Sequence, residues 1–473
     1  LQHAVKTYDG RVVCFFTFDK VFLSRPDFSP DRFQFFLKTI KELKHELSLI
    51  GGDLLVLDQG PAESFRAIIE RCKTENIPLP QEVFWNRDYE PFARNRDQNI
   101  TEVLLESGIK SATFRDHLVI EPTEILNGQG LPYQVYTPFA KLWLDKIRTP
   151  EIASRITSQR ISLQKYTQSQ SEGASKRFMN LSWKSLFPHK MFKDHLDDFL
   201  NQNETKVTVP IPSAGFKTAL TRLDQFSGVL KKYGDHRDLP SLDGTSQMSF
   251  FLKNGSITTA QIIAHLNLET TPFKSESGAT KFLKELVWRE FYYHILWHSP
   301  RVENEAYQTK YKELNWRNDE SHFNSWKNGQ TGYPIVDAGM RQLLTTGWMH
   351  NRVRMIVASF LTKDLLIDWR WGERWFMQKL LDGDLAPNNG GWQWAASTGC
   401  DAQPYFRIFN PTSQSERFDP EGTYIRTYVR ELADVDNKVI HNPPPDVRKK
   451  SGYPGPIVDH GKQRLLALMT WKK

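Results

Sequence analysis

The sequence predicts two architectures in one chain, an α/β domain with a parallel sheet followed by a larger all-α domain. Three observations predict it. Up to about residue 120, short β-branched or aromatic runs alternate with segments of helical period, the pattern of parallel strands joined by crossover helices. Beyond Pro212 the strand-like runs give way to long amphipathic segments rich in aromatic residues. Between them, from Thr149 to about Pro212, the stretch Ile156–Arg177 is rich in Ser, Gln and Lys and poor in large apolar residues, and it reads as a long surface connection. The expected divisions are residues 1–136, a connection over 137–211, and a helical domain over 212–473.

Element by element, Val12–Phe18 is a strand. Asp31–Ile50 carries Phe36, Ile40, Leu43 and Leu47 on one helical face and stops at Gly51. Leu54–Asp58 reads as a buried strand, Ala62–Glu75 as helix, Val83–Asn86 as strand, Asp97–Ser107 as helix and Thr113–Ile120 as strand. No G-x-G-x-x-G follows any of these strands, which argues against a dinucleotide bound there in the usual way. In the second half Ala279–Trp297 is a long aromatic helix. Pro334 opens a helix that stops near Gly347, Asn351–Trp369 is strongly apolar with arginines near its start, and Arg370–Leu381 follows.

Composition narrows the function classes. The 473 residues are 39% hydrophobic and 25% charged, an ordinary globular profile. No apolar run approaches the length of a membrane span, and Leu1–Gly10 lacks the apolar stretch of a secretory signal. Cys14, Cys72 and Cys400 lie far apart, so neither a disulfide framework nor a metal centre is expected, and a reducing, cytoplasmic setting is. A net charge of +7 suits a polyanionic partner. Ten of the 14 tryptophans fall between Trp288 and Trp394, as a tryptophan-rich core or as a site that stacks on flat rings or passes electrons.

Four segments carry candidate chemistry. Gly244-Thr245-Ser246-Gln247-Met248-Ser249 stands at a helix start, as a phosphate site or a plain cap. Glu285 and Arg289 are spaced to pair on one helix face, and Trp288 and Tyr292 share that stripe, which sets a carboxyl beside large rings. Trp348-Met349-His350-Asn351-Arg352-Val353-Arg354-Met355 brings a ring, an amide and two arginines to a helix start. It suits a base edge and phosphates, or simple capping by Asn351. Asp382-Gly383-Asp384-Leu385-Ala386-Pro387-Asn388-Asn389-Gly390-Gly391-Trp392-Gln393-Trp394 fails as a calcium loop, because Ala386 and Gln393 occupy ligand positions. A loop of acids, amides and glycines instead suits contact with a polar planar heterocycle.

These segments together resemble the class I cyclobutane pyrimidine dimer DNA photolyases of the photolyase and cryptochrome family. The matching run is Thr331-Gly332-Tyr333-Pro334, Gly347 to Arg352, Asp382-Gly383-Asp384, Asn388 to Trp394 and Pro404-Tyr405-Phe406-Arg407, in that order. The likeness covers most of the chain and is strongest from about Tyr233 to Arg426. It implies FAD held within the helical domain and light-driven repair of cyclobutane dimers in DNA by a monomer with access to the chromosome. By resemblance, Tyr233, Thr245, Ser246 and Ser249, with Gln247 and Met248 between them, border the diphosphate, with Arg289 nearby. Arg354 pairs with Asp382 beside the isoalloxazine, Gly383 follows, Asp384 accepts from the ring, and Asn388 faces its N5. Phe282 lines the flavin pocket where some relatives carry tryptophan.

The same resemblance implies Trp288 and Trp394 as walls for a flipped dimer, with Met355 beneath it. Glu285 and Asn351 hydrogen-bond its base edges, and Arg237, Arg352, Arg407 and Gln414 contact the strand around it. Trp392, Trp369 and Trp316 match the family's electron-carrying tryptophans, whose plainer role is core packing. Two departures stand out. The family's opening strand with Trp-Phe-Arg-x-Asp-Leu-Arg does not precede Leu1, so a central strand of the α/β domain is expected to be missing. Tyr89-Glu90 is followed by Pro91-Phe92-Ala93-Arg94, not by the Asn-Glu pair of folate-binding relatives. A deazaflavin or flavin antenna is therefore expected ahead of methenyltetrahydrofolate. The rivals are a cryptochrome photoreceptor, which shares FAD and the tryptophans; a six-four photolyase, which needs histidines where this chain offers only His350; and a DNA-binding protein without cofactor, which leaves Asp382–Trp394 unexplained.

Overall fold

A computed structural model describes residues 1–172, 178–272 and 274–472. In the α/β part, β1 (Cys14–Thr17) pairs in parallel with β2 (Leu54–Leu57), and β3 (Glu82–Asn86) pairs in parallel with β4 (Lys110–Phe114). The two pairs do not hydrogen-bond to each other. All of β2 is buried, which explains an uninterrupted Leu-Leu-Val-Leu: helices cover both faces. The crossover helices Pro30–Leu49, Pro61–Thr74 and Pro91–Glu106 each begin with proline, where a missing N–H leaves nothing unpaired. The last begins six residues before the expected Asp97, because Pro91 starts it.

The strand expected over Thr113–Ile120 ends at Phe114. Beyond it the chain leaves the ladder, and the Val119 and Ile120 N–H groups donate to the carboxylate of Glu290, at 2.5 and 3.4 Å. The Trp143 indole N–H donates to the same carboxylate at 2.6 Å. Glu290 belongs to the Gly278–His298 helix, so this buried acid stitches the α/β part to the helical part.

The surface connection expected within 137–211 is corrected. Tyr136–Ile147 and Pro150–Glu172 are helices, and Phe139, Trp143, Ile147, Ile152, Ile156 and Leu163 are buried in the largest core cluster. Four or so apolar residues at helical spacing suffice to bury one face of a long polar helix, which a window of mean composition hides. The end of the Ser-Gln-Lys stretch, residues 173–177, lies outside the described residues. That core also takes in Phe35 of the α/β part and Phe282, Leu286 and Phe291 of the Gly278–His298 helix.

In the helical half, Pro334–Thr346 ends at Gly347 as expected. The apolar run Asn351–Trp369 is not one helix. Asn351–Ser359 passes into a π-helical turn, Phe360–Asp364; Leu366 takes φ of 52°, and a new helix, Trp369–Lys379, is capped by the Asp368 side chain. Leu385–Ala395 is also helical, so only Asp382–Asp384 of the acid-amide segment is loop. Among the described residues, no helix is long and apolar enough to cross a membrane.

The buried Asp337 anchors the C-terminal segment. It accepts from the Thr331 N–H and hydroxyl at 2.7 and 2.6 Å, from the Gly332 N–H at 3.0 Å and from the Tyr453 hydroxyl. Asp337→Ala leaves all of these donors unmatched in the interior, and denaturant unfolding is expected to show a loss of about 3–5 kcal/mol.

Candidate functional site

The site is built around the Gly278–His298 helix and the segment from Arg354 to Trp394. On the helix, Glu285, Trp288, Arg289 and Tyr292 recur at spacings of three and four, and share a stripe. The Leu385–Ala395 helix packs on that stripe so closely that a Cβ at Gly390 would lie 2.0 Å from the Tyr292 ring. Glycine at this position is what lets the two helices meet.

At one end lie the acids. Asp382, buried, receives two hydrogen bonds from Arg354 Nη2, at 3.1 and 2.9 Å, while Arg354 Nε donates to the Met349 carbonyl at 2.7 Å. Asp384, also buried, accepts from the Tyr293 hydroxyl at 2.5 Å and from Lys253 Nζ at 3.4 Å, and faces Arg289 Nε at 3.7 Å. Burial pushes the Asp384 carboxyl up, but Lys253, Arg289, His117 and the Tyr293 hydroxyl outweigh it and hold the group below the usual carboxylate range. Lys253 also donates to Glu90 at 2.6 Å. Arg289 reaches the His117 carbonyl at 3.1 Å and lies 2.6 Å from the His117 ring, whose proton affinity burial and the guanidinium push down to about 3. The α/β part thus supplies Glu90 and His117 to the surroundings of Asp384.

Asn388 and Asn389 behave differently from each other. Asn389 is buried and donates to the Val302 carbonyl and to Glu373 Oε1, both at 2.9 Å. Asn388 donates to the Glu373 carbonyl at 3.1 Å and has no donor to its own side-chain oxygen among the described residues. Burial pushes Glu373 up to about 8, so it is a neutral acid at pH 7.

Thr245 and Ser249 have no side-chain hydrogen-bond partner among the described residues, whereas the Thr245 and Ser246 carbonyls are tied to Arg222 at 2.7 and 3.1 Å. Gln247 takes φ of 55° and Met248 is buried. Tyr233 and Phe282 are buried against each other and Phe226. The two free hydroxyls and the open oxygen of Asn388 are polar groups without a protein hydrogen-bond partner among the described residues, and the buried Arg289 Nε, 3.7 Å from Asp384, makes no hydrogen bond. They fit the phosphates and ring edge of the implied FAD.

Further along the stripe, Glu285 accepts from Arg237 at 2.6 Å and not from Arg289, its expected partner four residues on. Trp288 stacks on Tyr136 with centroids 3.7 Å apart and planes 2° apart, so one of its faces is already covered. Arg352 pairs with Asp238 at 2.9 Å and lies over the Phe418 ring. Asn351 is exposed and is not the cap; His350 Nδ1 accepts the Arg352 N–H at 3.2 Å instead. Met355 and Gln414 are half-buried, Arg407 is exposed, and the Trp394 ring lies 6.5 Å from Phe409.

Trp392 and Trp369 are buried and Trp316 is partly exposed, all in one cluster. Their ring contacts run elsewhere among the described residues, from Trp392 to Trp326 and Phe376 and from Trp316 to Trp471. Sequence reasoning missed Lys253, Tyr293, Glu373, Glu90 and His117. Lys253 and Tyr293 stood near recognised motifs and Glu90 within one read only for the antenna, and no spacing rule joins Glu90, Glu373 or His117 to Asp384.

Comparison with known proteins gives the family. Residues 1–155 match the family model described as DNA photolyase, and residues 282–473 the one described as FAD binding domain of DNA photolyase. A deoxyribodipyrimidine photo-lyase of Alkalihalophilus pseudofirmus is 39% identical over 100% of this chain and 94% of its own length. A class III photolyase from Agrobacterium tumefaciens superposes with a TM-score of 0.80 at 34% identity, over 100% of this chain and 93% of that one. An archaeal photolyase from Sulfolobus tokodaii, solved with two FAD molecules, gives 0.74 at 30% identity, over 98% and 93%.

Glu373 makes a pH-dependent prediction. Its folded carboxyl keeps a proton up to about 8, whereas the unfolded one releases it near pH 4.5, so between these values the native state binds more protons and stability falls as pH rises. Glu373→Gln keeps the acceptor for Asn389 and cannot ionise. It is expected to remove about 2 kcal/mol of stability loss over the two pH units below 8, read from urea unfolding at a series of pH values.

Proposed function

We propose that this chain, which belongs to the photolyase and cryptochrome family of FAD enzymes, repairs cyclobutane pyrimidine dimers in DNA with light and belongs with its class I members. The observation that carries the proposal is the continuity of one helix stripe. Arg289 faces the acid Asp384 at 3.7 Å, and Trp288 beside it and Glu285 one turn back on the same stripe offer a stacking surface and a hydrogen-bonding carboxylate to the same flat ligand.

When bound and reduced, FAD supplies light-driven transfer of one electron to the dimer and its return after the cyclobutane ring opens. The chain's own residues set the geometry. Ionised Asp384 accepts from a ring N–H, the Asn388 oxygen faces the ring edge, and Thr245 and Ser249 take the phosphates. Enzymes that act on a base, photolyases among them, take it out of the stack. Trp288, with its far face backed by Tyr136, and Trp394 are the apolar walls that receive it, and Met355 closes the floor. Glu285 and Asn351 bond the base edges, and by doing so stabilise charge on the opened dimer.

Arg237, Arg352 and Arg407, with Gln414, hold the strand. Arg237 and Arg352 are paired with Glu285 and Asp238 in the free protein. These pairs are partly exposed, and such pairs are worth about 1 kcal/mol or less, so exchange for phosphate costs little. Trp392, Trp369 and Trp316 carry electrons inward to reduce oxidised flavin, the first two buried and Trp316 partly exposed. His350 is buried, its proton affinity lowered to about 4 by burial, and its Nδ1 serves as a helix cap. This counts against the six-four reading, which needs a histidine that donates protons. A second class assignment, class III, has a specific observation behind it in the Agrobacterium superposition.

The test is an absorption spectrum of the purified protein, then repair of a thymine-dimer oligonucleotide with and without blue light. Bound flavin with light-dependent loss of dimers is expected; bound flavin without repair, under light and reducing conditions, points to the photoreceptor. Glu285→Ala is expected to lower the repair yield about tenfold or more while the protein stays yellow. Trp316→Phe is expected to slow photoreduction of oxidised flavin and to leave repair by chemically reduced protein intact, as followed by transient absorption and dimer loss.

A further inference from the structure

Arg32 occupies the first turn of the Pro30–Leu49 helix, where the helix dipole disfavours a cation. It does not serve its own helix. Its Nη2 donates to the Asp27 carbonyl at 3.1 Å, and its Nη1 crosses to the helical part, where it donates to the Met377 carbonyl and reaches that of Leu380 at 3.4 Å. These carbonyls end the Trp369–Lys379 helix. Helix-end carbonyls lack intrahelical partners and favour a cation. The Leu381 N–H, which would reach Met377 if the helix continued, donates instead to the Gly347 carbonyl at 2.8 Å.

The chain then runs through Asp382-Gly383-Asp384. A Cβ at Gly383 would lie 2.4 Å from Arg32 Nη1 and 3.2 Å from the Leu380 carbonyl. The guanidinium therefore fills the space beside Gly383, between the residue that pairs with Arg354 and the residue held by Lys253. The charges of Asp27, Glu90 and Asp382 face it, and Arg25 opposes it.

We propose that Arg32 is a positioning residue for the flavin. Reaching from the α/β part, it caps the Trp369–Lys379 helix and fixes the path of the backbone that carries Asp382 and Asp384, so the α/β part completes the flavin site even when it holds no chromophore of its own. This rests on the reading that those carboxylates border the flavin.

The experiment titrates FAD into the apoprotein of the full chain for wild type, Arg32→Met, Arg32→Lys, Gly383→Ala and the double variant Arg32→Met with Gly383→Ala. The midpoint potential of bound flavin and thermal unfolding of the apoprotein are measured alongside. Arg32→Met is expected to weaken FAD binding about tenfold, the effect of losing a charge-assisted bond, and to shift the potential. Arg32→Lys, which keeps one donor to Met377, is expected to recover part of both. Gly383→Ala is expected to weaken binding in the wild-type background and much less in Arg32→Met, where the colliding guanidinium is gone. Unchanged affinity and potential in Arg32→Met, whatever its unfolding temperature, overturns the proposal, as does an equal Gly383→Ala defect in both backgrounds. Wild-type protein that takes up no FAD defeats the flavin reading and this proposal together; wild type that binds it, with Arg32→Met indistinguishable, defeats this proposal alone.

Discussion

A carboxylate kept ionised in the interior is the constraint around which the rest of this structure is arranged. An unpaired buried carboxylate costs several kcal/mol, so Asp384 exists only with Lys253, Arg289 and Tyr293 around it. Lys253 and Arg289 are themselves partly buried cations that need further partners, Glu90 and His117, and these come from the α/β part. Satisfying one charge thus recruits groups from both halves and docks them in one register. Glu290, the residue after Arg289 and on a different face of the same helix, ties the two parts together again through Val119, Ile120 and Trp143.

The same side-chain chemistry takes opposite protonation states within this small region, and environment alone decides. Asp384 is surrounded by cations and a hydroxyl and stays charged. Glu373 has a single amide donor and no cation bonded to it, and burial pushes it up to about 8. Glu290 lies between them at about 7, raised by burial against three hydrogen-bond donors. A site with a fixed anion on one side and a neutral acid behind Asn388 and Asn389 is suited to a ring that accepts hydrogen bonds at one edge and donates them at another.

The tryptophans show why composition alone undersells a site. Trp288 is stacked on Tyr136, and Trp392 packs against Trp326 and Phe376, so under the proposed reading each would serve packing and function at once. Packing of this kind holds a ring rigidly enough to receive a base or pass an electron, so the two roles reinforce each other.

Much was legible in the sequence for one reason: helical and strand periodicities, proline starts and glycine stops are local, and so are the contiguous motifs from Thr331 to Arg407. These determined the α/β-then-α order, most elements, the family and the Arg354–Asp382 pair. Tertiary structure decided what depends on distant partners. The Thr113–Ile120 strand stops at Phe114 because Glu290, some 170 residues on, captures its N–H groups. Pro150–Glu172 is a helix packed on the core because its few apolar residues fall on one face. Glu285 pairs with Arg237 and not with Arg289 because Arg289 is drawn to His117 and Asp384. Lys253, Glu373 and Arg32 carry no local signal, since a charge is read from sequence only by its neighbours in the chain, whereas its energy in the interior is set by neighbours in space.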